Sequence, residues 1–159
     1  MVGLALAACS AGQPIPVGLA VELTGRRSEV GVAVRNGAEL AVEAVNAAGG
    51  VAGKKLKLLV RDDEGSAEGA LLADGELIAE DVAAIIGHIT SEQTAAVLEM
   101  VNRSRVVLFS PTSSSSEFSG IDDYFFRVMP GNDRMAASLA QHIYTNHGLD
   151  QALVIYDLA

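Results

Sequence analysis

The groups in this sequence best suited to chemistry are hydroxyls, and they lie in two runs. The first is Gly87-His88-Ile89-Thr90-Ser91, and the second is Ser110-Pro111-Thr112-Ser113-Ser114-Ser115-Ser116. Each follows a short apolar segment, Val82–Ile86 and Val106–Phe109, and the first leads into a helical pattern. Thr90 with Gln93 fits a capping box. A helix start also offers unpaired N–H groups and a favourable dipole end to a carboxylate. Capping and anion binding use the same groups, so spacing leaves both open for Thr90 and Ser91. The serine run has two readings as well. Its composition suits a solvated linker, whereas its start directly off a buried strand suits a loop that holds a ligand's ammonium and carboxylate.

Other chemistries fail on spacing or composition. Gly49-Gly50-Val51-Ala52-Gly53-Lys54-Lys55 superficially suggests a phosphate loop. Ala48 stands where the first glycine belongs and Lys55 replaces the Ser or Thr. The segment also joins a helix to a strand, the reverse of what a phosphate site at a helix start needs, so it reads as a turn. The loop after the first strand has a single glycine, Gly25, and lacks the dinucleotide fingerprint. Asp62-Asp63-Glu64 is an acidic cluster at a strand end and is read as a solvated terminus rather than a cation site. His142 and His147 are not on one helix face, and His88 beside Gly87 is read as structural. No nucleophile–base pair emerges, so the expectation is binding without catalysis, metal or cofactor.

The chain has 159 residues, 50% of them hydrophobic and 19% charged, enough for one domain with a real core. A net charge of −9 and the lack of any basic run exclude a nucleic-acid partner. The single cysteine, Cys9, rules out an intrachain disulfide. Met1–Ala8 is almost wholly apolar, and Leu6-Ala7-Ala8-Cys9 looks like a bacterial lipobox, in which lipid on Cys9 anchors the protein to a membrane. No apolar run is long enough for a membrane-spanning helix.

The elements that must position the hydroxyls alternate. Strands are expected at Ile15–Val21, Lys55–Arg61, Val82–Ile86, Val106–Phe109, Tyr124–Val128 and Ala152–Tyr156. Helices are expected at Gly31–Ala47, Ser66–Glu80, Ser91–Asn102 and Asn132–Asn146, the first with Leu40, Ala41, Ala44 and Val45 on its inner face. Repeated βα units imply an α/β, doubly wound, mainly parallel sheet with helices on both faces. Ligands of such sheets sit at the carboxyl ends of the strands, and both hydroxyl runs fall there.

Several short motifs carry a family resemblance. They are Leu23-Thr24-Gly25 after the first strand, Arg35-Asn36-Gly37-Ala38 and Glu39-Leu40-Ala41 in the first helix, and Asn46 through Gly53 after it. Asp62-Asp63, Gly87-His88, Ser110-Pro111 and Phe126-Arg127 follow in order. Together they resemble the type I periplasmic binding proteins, especially the branched-chain amino-acid-binding receptors of ABC transporters, from about Ile15 to Ala159. The resemblance implies two lobes closing on a ligand. The first lobe would bind the α-amino and carboxylate groups of an amino acid through Ser91, the backbone of Thr112 and Ser113, and the Ser114 hydroxyl, with Thr90 beside them. Many members place an aromatic residue, set against the ligand side chain, where Val30 stands here. A membrane permease is the implied partner, at a periplasmic or cell-surface location. The alternative use of the fold is the ligand-sensing ectodomain of a receptor.

Members of that family run well beyond this length. By the resemblance, 1–9 are a truncated lipoprotein signal, 10–126 an incomplete first lobe, and 127–159 the crossover with the first helix and strand of a second lobe. Asn132–Ala159, lacking its usual packing, is expected to be partly disordered or to exchange between two copies as a dimer.

Overall fold

A computed structural model describes residues 12–153 and 155. The apolar leader and Cys9 lie outside them. The elements run β1 (Ile15–Val21), α1 (Ser28–Ala47), β2 (Leu56–Asp62), α2 (Ala67–Ala79), β3 (Ala84–Ile86), α3 (Ser91–Ser104), β4 (Val107–Ser110), a 3-10 turn (Ser116–Phe118), β5 (Phe125–Arg127) and α4 (Asn132–His147). The strands form one sheet in the order β2-β1-β3-β4-β5, with every neighbouring pair parallel. This is the expected α/β sheet. Its order switches direction between β1 and β3, and the carboxyl edge beside such a switch is where ligands of open α/β sheets bind.

Strand alternation divides the interior into two faces. On one face Ala20, Ile85, Leu108 and Phe125 pack against Ala70, Ala73 and Leu77 of α2 and Val97 and Val101 of α3. Gly18 makes room for Leu77: a Cβ at Gly18 would lie 2.8 Å from Leu77 Cδ1 and 3.3 Å from Ile85 Cγ1. Arg61 pairs with Glu76 and Glu80 and ties β2 to α2 from outside. The other face receives α1 over β1 and β2. Gly31 is required there, because a Cβ would overlap the Glu22 carbonyl. Over β4 and β5, among the described residues, Phe109 and Phe126 of this second face are exposed.

Three expectations are corrected. The inner side of α1 is formed by Gly31 with half-buried Val34, Ala38, Val42 and Val45, while Leu40, Ala41 and Ala44 are exposed. Apolar residues wrap so much of this helix that their positions alone do not tell which side meets the sheet. Asp63 is fully buried rather than solvated, because it has an interior partner, described below. Of the strand expected at Ala152–Tyr156, Ala152, Leu153 and Ile155 carry no strand, and Val154 and Tyr156 lie outside the described residues. A strand is defined by its ladder, and no strand among the described residues pairs with this segment. The helix before it, α4, forms as expected but has no buried residue.

Candidate ligand-binding site

The two hydroxyl runs meet at the carboxyl edge of β3 and β4. Thr90 is the N-cap of α3, and the capping box is complete. Its Oγ1 accepts from the Gln93 amide, and Gln93 Oε1 accepts from the Thr90 amide at 3.2 Å. Its hydroxyl also donates to Gln93 Oε1 at 2.8 Å. The capping reading of Thr90 is therefore realised. Ser91 Oγ accepts from the amides of both Ser114 and Ser115, each at 3.2 Å. That pair of bonds fastens the serine loop to the first turn of α3.

The serine loop is an ordered structure rather than a linker. Ser110 is fully buried; its hydroxyl donates to the His88 carbonyl at 3.0 Å and accepts from the amides of Thr112 and Ser113. Thr112 Oγ1 donates to the carbonyl of Ile89 at 2.7 Å. Ser113 is buried, with its hydroxyl 2.6 Å from Thr94 Oγ1. The amides of Thr112 and Ser113 are thus spent on the Ser110 hydroxyl, and exposed Thr112 and half-buried Ser114 are left at the edge. Arg127 clamps the far side. Its guanidinium donates to the carbonyls of Ser113 (3.3 Å) and Ser115 (2.7 Å) and to Ser119 Oγ (2.8 Å), with its carbon 5.9 Å from the Phe118 ring centroid. Val30 lies on the first turn of α1 at the same edge, half exposed, with no hydrogen bond tying its backbone to the serine loops.

Beneath these loops lie charged side chains whose pairing the sequence did not reveal: His88, read as structural, with Asp63 of the acidic cluster and Asp74 of α2. The His88 ring is fully buried between two fully buried carboxylates. Nδ1 is 2.7 Å from Asp63 Oδ2, a hydrogen bond, and Nε2 is 3.3 Å from Asp74 Oδ1, an ion pair without hydrogen-bond alignment. Burial alone would push the imidazole pKa down. Hydrogen bonding to Asp63, then the interactions with Asp74 and the charges of both, outweigh it and raise the value to about 9, so the ring is an imidazolium at neutral pH. The neighbouring Asp62 serves the loop after β1, accepting from the amides of Leu23 (2.8 Å), Thr24 and Glu64 and from the Thr24 hydroxyl (2.6 Å). Burial opposes its charge, but the Thr24 hydroxyl and these amides hold its carboxyl below the usual carboxylate range. Glu22 is buried beside that loop and accepts from the Arg27 amide at the start of α1.

A signal for Asp74 did exist: it falls among Ala70, Ala73 and Leu77 on the inner stripe of α2. Its partner His88 is on another element, which one helix's periodicity does not reveal. Among the described residues no group of His, Cys, Asp and Glu is arranged to hold a metal ion. The arrangement offers carbonyl and hydroxyl oxygens for an ammonium, and hydroxyls with the first-turn amides of α3 for a carboxylate.

Relatives share this architecture. The Leu/Ile/Val-binding protein homolog 3 of Brucella melitensis is 27% identical over 152 residues, 94% of this chain and 41% of the relative. The branched-chain amino acid transporter substrate binding protein of Streptococcus pneumoniae, solved with isoleucine, is 26% identical with a TM-score of 0.76, covering 85% of this chain and 39% of that one. An ABC transporter substrate-binding protein of Desulfitobacterium hafniense, solved with Leu, is 28% identical with a TM-score of 0.70, covering 84% and 39%. The chain thus spans about two fifths of the length of the relatives it matches. The periplasmic binding protein family model matches residues 14–158, and with this sheet order and edge site the chain belongs to that family.

Proposed function

We propose that this chain is the first ligand-binding lobe, with the start of a second, of an extracytoplasmic solute-binding protein that delivers an amino acid to the permease of an ABC transporter. The observation that carries this reading is the junction of Ser91 with Ser114 and Ser115, which sets a serine loop against a helix start at the carboxyl edge of β3 and β4. In the reading, the Ser91 hydroxyl and the α3 amides receive the carboxylate. The Thr112 carbonyl and the Ser114 hydroxyl receive the ammonium, and Ser113 and Thr90 brace them. Val30, at the same edge, meets the ligand side chain. Two relatives solved with isoleucine and leucine support a branched-chain amino acid as the ligand.

The lobe boundary falls near Arg127, so 10–126 form the first lobe and 127–159 begin the second. Closure of two lobes is a population shift toward the state with more ligand contacts. Lipid on Cys9 holds the protein at the membrane surface. Leu139, Tyr144 and Leu149, exposed on and after α4, support exchange of that segment between two copies.

The test is binding of L-isoleucine by calorimetry. Hydrogen bonds to charged groups contribute about 1.5–3 kcal/mol, so Ser114→Ala is expected to weaken binding roughly tenfold to a hundredfold. Ser91→Ala, which also releases the serine loop, should cost at least as much. Affinities within twofold of the wild type for both variants would remove these hydroxyls from the site.

A further inference from the structure

The interior of the molecule contains a buried charged triad beneath the candidate site, and its placement suggests a task. Asp63 follows β2, Asp74 lies on α2, and His88 follows β3. The His88 backbone carbonyl faces the other way, accepting from the hydroxyls of Ser110 (3.0 Å) and Thr112 (3.3 Å) at the root of the serine loop. Asp63 Oδ1 accepts from the Gly65 amide, and adjacent Asp62 holds Leu23 and Thr24. One connected set of bonds therefore runs from the loop after β1, through the two aspartates and His88, to the loop after β4.

We propose that His88 is the positioning residue of the candidate site: gripped by Asp63 and Asp74, it fixes through its own carbonyl the place of the Thr112–Ser114 segment, and loss of its ring proton loosens that segment. The proposal rests on the reading of this edge as a solute site. Among the described residues the charged groups acting on the ring are Asp63 and Asp74. Glu22 is engaged with Arg27 instead. Ser110 and Thr112 meet the residue only at its carbonyl, so they sense its position rather than its charge. A neutral imidazole can keep the Nδ1–H bond to Asp63 but loses the positive charge that attracts Asp74. Raising the pH through the ring's pKa of about 9 therefore removes the attraction to Asp74 and weakens the hold on residue 88.

The experiment is a pH titration by NMR of the isotope-labelled chain, wild type and Asp74→Asn, following the His88 ring and the amides of Thr112, Ser113 and Ser114. In the wild type, ring and amides are expected to shift together with one midpoint near 9. Removing one carboxylate should lower that midpoint by roughly a pH unit or more, and the amide midpoint should fall with it. A packing role alone leaves the amides unmoved while the ring titrates, and that result overturns the proposal. So does a ring midpoint at or below the ordinary histidine value.

L-Isoleucine affinity provides the second arm. The two proteins should bind alike at pH 6.5, where both rings are charged, and differ roughly threefold or more at pH 8.5, where the variant's ring has lost its proton. A pH-independent ratio also overturns the proposal. If L-isoleucine binds neither protein at any pH, the solute reading fails, and the co-titration of ring and loop still decides the positioning role.

Discussion

Replacing His88 by alanine is expected to lower stability by about 3–5 kcal/mol at pH 6, the usual cost of removing one partner from a buried ion pair. The variant leaves Asp63 and Asp74, both fully buried, without their cation. The pH dependence follows from linkage. The folded-state pKa of His88 is raised, from 6.5 to about 9, so its contribution is fully present below pH 6.5 and is lost as pH rises through about 9. The shift corresponds to about 3 kcal/mol, the same order as the mutational cost. Urea unfolding of both proteins at pH 6, 7.5 and 9.5 checks this. The gap should narrow steadily with pH; a constant gap would mean that the ring contributes only packing.

Leu77→Ala is the second large effect, at about 2–5 kcal/mol. Leu77 is fully buried and fills the groove that Gly18 leaves between β1 and β3. Its loss opens a cavity under the sheet that bears the site. The pair is also expected to be non-additive. Gly18→Ala alone pushes a methyl to 2.8 Å from Leu77 Cδ1 and should destabilise. In the Leu77→Ala background the same methyl enters empty space and should restore part of the loss. Thermal or urea unfolding of the two single variants and the double variant measures this coupling. Simple additivity would show that the two positions do not share one packing site.

The fold was largely legible in the chain. The alternation of short β-branched runs with helical patterns reproduces β1 to its ends and places the other strands, apart from the one expected at Ala152–Tyr156, within a few residues. That strand needed a ladder partner, which local pattern cannot supply. The start of α1 came earlier than expected, at Ser28, because Glu22 accepts the Arg27 amide from the end of β1 and holds the first turn.

The site was legible only where its chemistry is local. Thr90 and Gln93 cap within one turn, and spacing alone identified them. The role of Ser91 depends on amides 23 and 24 residues away, and Asp63 depends on a ring 25 residues away. A run of serines in a linker and a run of serines pinned by Arg127 have the same composition. What distinguishes them is the guanidinium on β5, which pattern does not connect to the loop. Acidic residues at a strand end usually face water, and Asp63 departs from that because a buried cation compensates it.

The most direct test of the central claim is a thermal-shift screen of this chain against the common amino acids, with glucose as a control. Ligand at about 100 times its dissociation constant adds about 2.7 kcal/mol, roughly 5–10 °C in Tm for a chain of this size. Solute binding predicts such a shift with leucine or isoleucine, none with glucose, and its reduction by about half or more in Ser114→Ala. No shift with any amino acid, in a protein that melts cooperatively, would contradict it.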